Sequence, residues 1–160
     1  MSILENKFGQ SGRKGHFGEV ALYSLLKSKY SEVVDHRQNL SVQSDGVDFS
    51  VKQDNWRKFI TLDCKNNLFV SDNYYSLKIE LESNGQPGWF FTSKADRIYH
   101  TSTYTKQYVY YDLSVARYMI TKALLTGVKF NPIQYQNDLL IQIKWSDKMP
   151  PGINGPFKFN

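Results

Sequence analysis

The sequence predicts an α/β fold, a central mixed β-sheet flanked by helices. Three observations lead there. Val20, Leu22, Leu25 and Leu26 recur at helical spacing near the start. Runs rich in β-branched and aromatic residues fill 46–65 and 89–111. A second apolar stripe at helical spacing, Ala116, Met119, Ile120, Ala123 and Leu124, is followed by one more strand-like run. An order of helix, several strands, then strand, helix and strand is that of a sheet covered by helices. With 160 residues the chain is expected to form one domain, 1–160, large enough to bury a core without disulfides or structural metal.

Residues 1–14 contain Gly9, Gln10, Ser11 and Gly12, end in Arg13-Lys14, and read as a flexible basic arm. Residues 15–30 form the first helix. Glu19, three positions before Leu22 and seven before Leu26, falls on or beside its apolar face, where an acid needs a partner. Residues 32–40 are expected to hold a short strand around Val33 and Val34, and 41–45 a polar linker. Residues 46–51 and 58–65 are two strands of a hairpin. The stretch 75–81 fits helical and strand periods equally. Asn84-Gly85-Gln86-Pro87-Gly88 is a turn. Residues 89–92 read as a buried strand, and 95–100 and 107–111 as two more. Asp112 or Ser114 caps a helix over 113–126, which Gly127 stops. Residues 139–145 alternate as a last strand. The tail 149–160, with three prolines and two glycines, reads as irregular.

Composition narrows the function. Lys and Arg outnumber Asp and Glu by 20 to 15, giving a net charge of +5, which is compatible with a nucleic-acid partner. The single cysteine, Cys64, rules out an intrachain disulfide and a Cys-based zinc site, and its strand position beside Ile60 and Leu62 makes it a buried small hydrophobe. His16, His36 and His100 lack the spacing of a zinc centre. No GxxxxGK[ST] run supports a nucleotide cofactor. There is no 18-residue apolar run and no signal-peptide pattern, so a cytoplasmic protein without a membrane partner is expected.

The hairpin carries the chemistry. If it is centred on the Asn55/Trp56 link, facing residues sum to 111, and Asp48 faces Asp63. Directly opposed side chains on one face have Cβ atoms about 5 Å apart. Asp63 and Lys65 share that face and Cys64 points away. Two carboxylates set opposite each other repel, so the pattern calls for a divalent cation between them. The alternative is an ordinary surface hairpin with a cross-strand Asp–Lys pair. Lys52, Trp56, Arg57 and Lys58 in the connection suit a phosphate backbone and a base step, or else form a solvated loop.

Glu19 on a helix, Asp48 on a strand and Asp63-Cys64-Lys65 on the next strand resemble the PD-(D/E)xK nuclease superfamily, with Val47 where its eponymous proline would stand. Gly15-His16-Phe17-Gly18-Glu19 before a leucine helix is similar to archaeal-type Holliday-junction resolvases, and 89–96 with 108–113 is similar to small phage nucleases. The resemblance covers roughly residues 13–125. It implies a restriction-endonuclease-like core and a Mg²⁺-dependent DNA endonuclease, with Mn²⁺ substituting, that acts on branched or structured DNA in phage or mobile-element recombination and repair. It also leaves room for an exonuclease, a restriction-type endonuclease or a non-catalytic DNA-binding module. Glu19, Asp48, Asp63 and Lys65 would be catalytic. Asp48, Asp63 and the Cys64 carbonyl would hold the metal, with Glu19 acting through water. Arg13, Lys14, His16, Lys52, Trp56, Arg57, Lys58 and Lys94 would contact DNA. Apolar surface on the helix and sheet leaves room for a homodimer.

Overall fold

The hairpin forms in the register the sequence implies. In a computed structural model of the chain, β2 (Phe49–Lys52) runs antiparallel to β3 (Ile60–Lys65), with Phe49 opposite Leu62, Ser50 opposite Thr61 and Val51 opposite Ile60. The structure describes residues 3–127 and 132–159, with the backbone alone described at 3–15 and at residue 124. The hairpin sits in a six-stranded sheet ordered β1-β2-β3-β7-β8-β11, where β1 is Glu32–Asp35, β7 is Arg97–Ser102, β8 is Gln107–Asp112 and β11 is Asn154–Lys158. β7 lies parallel to β3, and the other neighbours are antiparallel. The fold is therefore α/β with a mixed sheet.

A second sheet departs from the sequence reading of one central sheet. It is ordered β4-β5-β10-β9, from β4 (Phe69–Val70), β5 (Tyr75–Ser83), β10 (Asp138–Trp145) and β9 (Pro132–Tyr135), with the short β6 (Gln86–Pro87) also on β5. Residues 75–81, ambiguous by period, are strand because β10 pairs along their whole length. Asn84 (φ 51°) and Gly85 (φ 73°) make the tight turn into β6.

The long helix α1 (Ile3–Lys29) covers one face of the six-stranded sheet, burying Leu22, Leu25 and Leu26 against Phe49, Val51, Leu62, Cys64 and Tyr99. The short α2 (Leu40–Gln43) stands where a polar linker was expected at 41–45. On the other face, the second sheet, α3 (Trp89–Thr92) and α4 (Leu113–Leu125) enclose a core that includes Leu77, Ile79, Phe90, Ile98, Val109 and Ile120. Gly127 follows α4 at φ 82°, as its stop position requires. Among the described residues no helix is long and apolar enough to cross a membrane.

Three elements correct the sequence reading. α1 begins at Ile3, so most of the expected arm is helical. The segment has no proline, and Glu5, Lys7, Gln10, Arg13 and Lys14 are straight-chain helix formers that outweigh its glycines. The tail is not irregular throughout, because β11 adds an edge strand to β8 and packs Phe157 and Phe159 on Tyr108. Residues 89–92 are one turn of helix rather than a strand. Four apolar residues in a row do not distinguish the two by period. Here the Glu80 carboxylate accepts a hydrogen bond from the Trp89 amide at 3.1 Å, and Gly88 donates to the Leu81 carbonyl, starting the turn.

Gly88 is fixed by contact rather than by dihedral. A Cβ there would stand 2.6 Å from the Glu80 carbonyl oxygen, a backbone atom that cannot swing aside. Gly88→Ala should cost about 1–3 kcal/mol and lower Tm by roughly 3–10 °C in thermal unfolding; an unchanged Tm would contradict this packing.

Candidate functional site

Strand alternation sorts the D-x-K residues. Leu62 and Cys64 face α1, whereas Asp63 and Lys65 face the second sheet. β7 sets Ile98 beside Asp63 and His100 beside Lys65. Asp48 stands at the open end of the hairpin, where its Oδ2 accepts a 2.9 Å hydrogen bond from the Cys64 amide while its own amide donates to the Leu62 carbonyl. The chain thus gathers Asp48, Asp63 and Lys65 at one strand end.

Asp63 is 2% exposed. Lys65 Nζ lies 2.9 Å from its Oδ2 and is that oxygen's ion-pair partner. Burial pushes the carboxyl up to about 7. The Lys65 ammonium opposes the rise and the neighbouring Asp48 carboxylate adds to it. Glu19, half-buried on α1, is also raised, first by burial and then by Asp48, with Arg37 and His16 pulling the other way. Glu19 and His16 therefore belong to the same electrostatic neighbourhood. No three His, Cys, Asp or Glu side chains among the described residues converge closely enough to form a complete ligand set. The donors on offer are the Asp48 and Asp63 carboxylates, with Glu19 beyond them. Cys64 lies in the β3–β7 ladder opposite Tyr99, and burial drives its thiol pKa well up, as befits an inert core residue.

Lys65 is held from below. Its Nζ lies 5.1 Å from the centre of the Trp89 ring, which α3 presents, in a cation–π contact. Trp89 in turn meets His100, and His100 stacks on Tyr111. His100 is fully buried and pulled down to about 3 by burial and by Lys65, so it stays neutral. The Asn67 amide nitrogen donates to the Lys78 carbonyl, which leaves its Oδ1 to accept from His100 Nδ1, while His100 Nε2 accepts from the Tyr111 hydroxyl at 2.9 Å. Burial raises Tyr111 above its ordinary range, keeping that proton in place.

The expected DNA-contacting residues divide. Lys52, Trp56, Arg57 and Lys58 belong to the closed end of the hairpin, Lys52 four positions from Asp48 and Lys58, Arg57 and Trp56 five to seven from Asp63, at about 3.3 Å per residue. The hairpin therefore sets this basic loop apart from the carboxylates, because it separates its turn from its open end. Trp56 packs edge-on against Tyr30 in the core under α1, and Lys52 pairs with Glu32 at 3.6 Å. Lys94 pairs with Asp45 at 2.8 Å rather than with Asp96, which instead binds Thr61. The side chains of Arg13 and Lys14 lie outside the described residues.

Sequence reasoning missed Arg37, Trp89 and the His100 relay. Arg37 grips Asp35 through Nε and Nη2 at 2.9 and 2.6 Å, lies over the Tyr23 and Phe49 rings, and is the nearest basic influence on Glu19. The charged run Asp35-His36-Arg37 after a strand was the available signal. Gly18 is a second. A Cβ there would lie 2.5 Å from Thr101 Oγ1, so a glycine is what lets α1 approach the strand ends closely.

Between about pH 4, where an unfolded aspartate ionises, and about 7, where native Asp63 does, the native state binds the extra proton, so this residue's contribution to stability falls as pH rises. His100 acts oppositely below about pH 6.5. Subtracting the wild-type curve from that of Asp63→Asn cancels it. The variant's advantage in unfolding free energy in EDTA should grow from pH 4 to 7 and level off near 8, reaching about 1–4 kcal/mol; a pH-independent difference would contradict the burial of an ionisable Asp63.

Comparisons with protein-family models, with curated proteins and with solved structures find no match to this chain.

Proposed function

We propose that this chain is a divalent-cation-dependent DNA endonuclease that hydrolyses phosphodiesters on branched or structured DNA, on a restriction-endonuclease-like core. The observation that carries the reading is the buried Asp63 carboxylate, set beside a second acid, Asp48, and ion-paired by Lys65. A structural ion pair has no need of a second buried-edge acid. A cation-holding pair does.

The residues fit Mg²⁺, with Mn²⁺ as a substitute. The ion takes oxygen ligands and retains several waters, so two carboxylates, Asp48 and Asp63, are sufficient protein donors, with Glu19 reached through water. When bound, it would lower the pKa of a coordinated water and offset charge on the phosphoryl group. The remaining work belongs to the chain. Lys65, braced by Trp89, presents its ammonium toward the phosphoryl oxygens, where negative charge grows as water attacks and the phosphorus–oxygen ester bond breaks. Glu19, its carboxyl made more basic by burial and by Asp48, is the group placed to take up the water's proton. Arg37 adds positive charge on the α1 side. The neutral His100 relay fixes Asn67 and Tyr111 and carries no charge of its own.

Four-way junctions, flaps, linear duplex and single strands incubated with Mg²⁺, Mn²⁺ or EDTA test this. Cleavage should require the metal and be lost in EDTA. Asp63→Asn and Lys65→Ala should each slow cleavage by about 10²–10⁴-fold with DNA affinity and a cooperative unfolding transition retained, Tm rising for Asp63→Asn and falling for Lys65→Ala, which strips the buried Asp63 of its ion pair. Cleavage that survives EDTA or either substitution would overturn the proposal.

A further inference from the structure

The strand that carries Asp63 and Lys65 runs on into Asn66-Asn67-Leu68, and an open groove lies on each side of that segment. One, of about 880 Å³, is lined by Phe17 and Ala21 of α1, by Asn66 and Leu68, by the turn from Thr101 to Tyr104, and by Lys106 and Phe159. The other, of about 390 Å³, is lined by Asn67, Leu68, Phe69, Tyr74, Lys78 and Gln142, among others. Leu68, itself buried, lies between them, so a strand that occupies both crosses the 66–68 segment beyond the end of β3.

Its furnishing is unusual for a protein surface. Tyr104 is 96% exposed, Phe17 64% and Phe69 52%. Large rings of this kind, left to water at the rims of a groove, are unused contact area. Between them the first groove has Thr103 on its lining, while the buried Thr101 donates to Asn66 and holds the groove wall in place. Lys78, Lys106 and Lys144 are exposed and form no ion pair with a carboxylate among the described residues. Lys144 lies 3.7 Å from the centre of the Tyr74 ring, at the edge of the second groove. Exposed rings alternating with lysines match a chain of stacked bases and phosphates. A duplex keeps its base faces stacked on one another and could meet only the lysines. An unpaired strand offers both.

We infer that these grooves form a track for an unpaired DNA strand, which threads a phosphodiester past Asp48, Asp63 and Lys65. The substrate class is a single-stranded or splayed segment of a structured DNA rather than continuous duplex. The inference rests on the nuclease reading for what happens at the site, but the binding it specifies is separable from cleavage. Tyr104 and Phe69 act as stacking platforms, and neither is placed in the cation site.

The test is fluorescence anisotropy in EDTA at fixed ionic strength, with labelled oligo(dT) of about 16 nucleotides and a duplex of the same length, on wild type, Tyr104→Ala, Phe69→Ala and Asp63→Asn. Oligo(dT) should bind at least about 10-fold more tightly than duplex, and each ring variant should weaken it by about 5–100-fold. Tyr104→Ala should leave Tm unchanged, because the ring is almost wholly in water. Asp63→Asn, which removes an acid from beside the threaded phosphodiester, should bind oligo(dT) no more weakly than wild type does. Equal or tighter duplex binding, no oligo(dT) binding, or a folded Tyr104→Ala protein of wild-type affinity would each overturn the track. If the track fails while cleavage remains sensitive to Asp63→Asn, the nuclease reading stands; if oligo(dT) binds as described but nothing is cut, the track stands and the nuclease reading falls.

Discussion

The burial of the Asp63 carboxylate beside a second acid is the constraint on which the rest of the structure depends. Water stabilises a free carboxylate strongly, and removing that water without a full complement of partners is among the costlier things a fold does. Here the expense is held down by three groups: the Lys65 ammonium, the Cys64 amide that occupies Asp48, and a strand register that allows no slip. A shift of one residue in β2 against β3 would turn Asp48 to the wrong face and send Phe49 out of the core under α1. The apolar pattern that packs the helix also keeps the acids facing each other.

The second sheet then acts on the site through one aromatic ring. Gly88 sits against the Glu80 backbone, the Glu80 carboxylate starts α3, and α3 lays Trp89 under Lys65. Arg117 of α4 ties the same turn down by donating to the Phe90 and Ser93 carbonyls. The position of the Lys65 head group is therefore set by residues far from it in sequence, each with a stated contact.

What could be read from the sequence follows from how local the determining forces are. The nearness of Asp48 to Asp63 was legible because a short hairpin and alternation bring them together, although the paired register ends at Phe49 and Leu62, and Glu19 because helical spacing puts it near Leu22. Helix α4 and its stop were legible from its stripe and Gly127. The sheet to which 75–81 belongs was not, since pairing with β10 is non-local and leaves no periodic mark distinct from pairing in the first sheet. The turn at 89–92 escaped because four apolar residues carry no period. Trp56 resembled a base-stacking ring and is core, whereas Tyr104 drew no notice and is the ring most fully in water. Exposure of an aromatic is a tertiary property, and composition is silent on it.

The parallel neighbour of β3 distributes the energetic load in a particular way. Val51 and Ile60, the last pair of the hairpin, are nine positions apart, whereas Leu62 and Arg97 on β3 and β7 are thirty-five apart. Closing the longer loop costs only about 1 kcal/mol more in chain entropy. The hairpin alone brings the two acids together while both are still wet. The arrival of β7, β8 and the α3 turn is what dries Asp63. The electrostatic penalty of the site is thus carried by long-range pairing, where the apolar cores of both faces contribute to offsetting it, and not by the short hairpin, which has little surface of its own with which to do so.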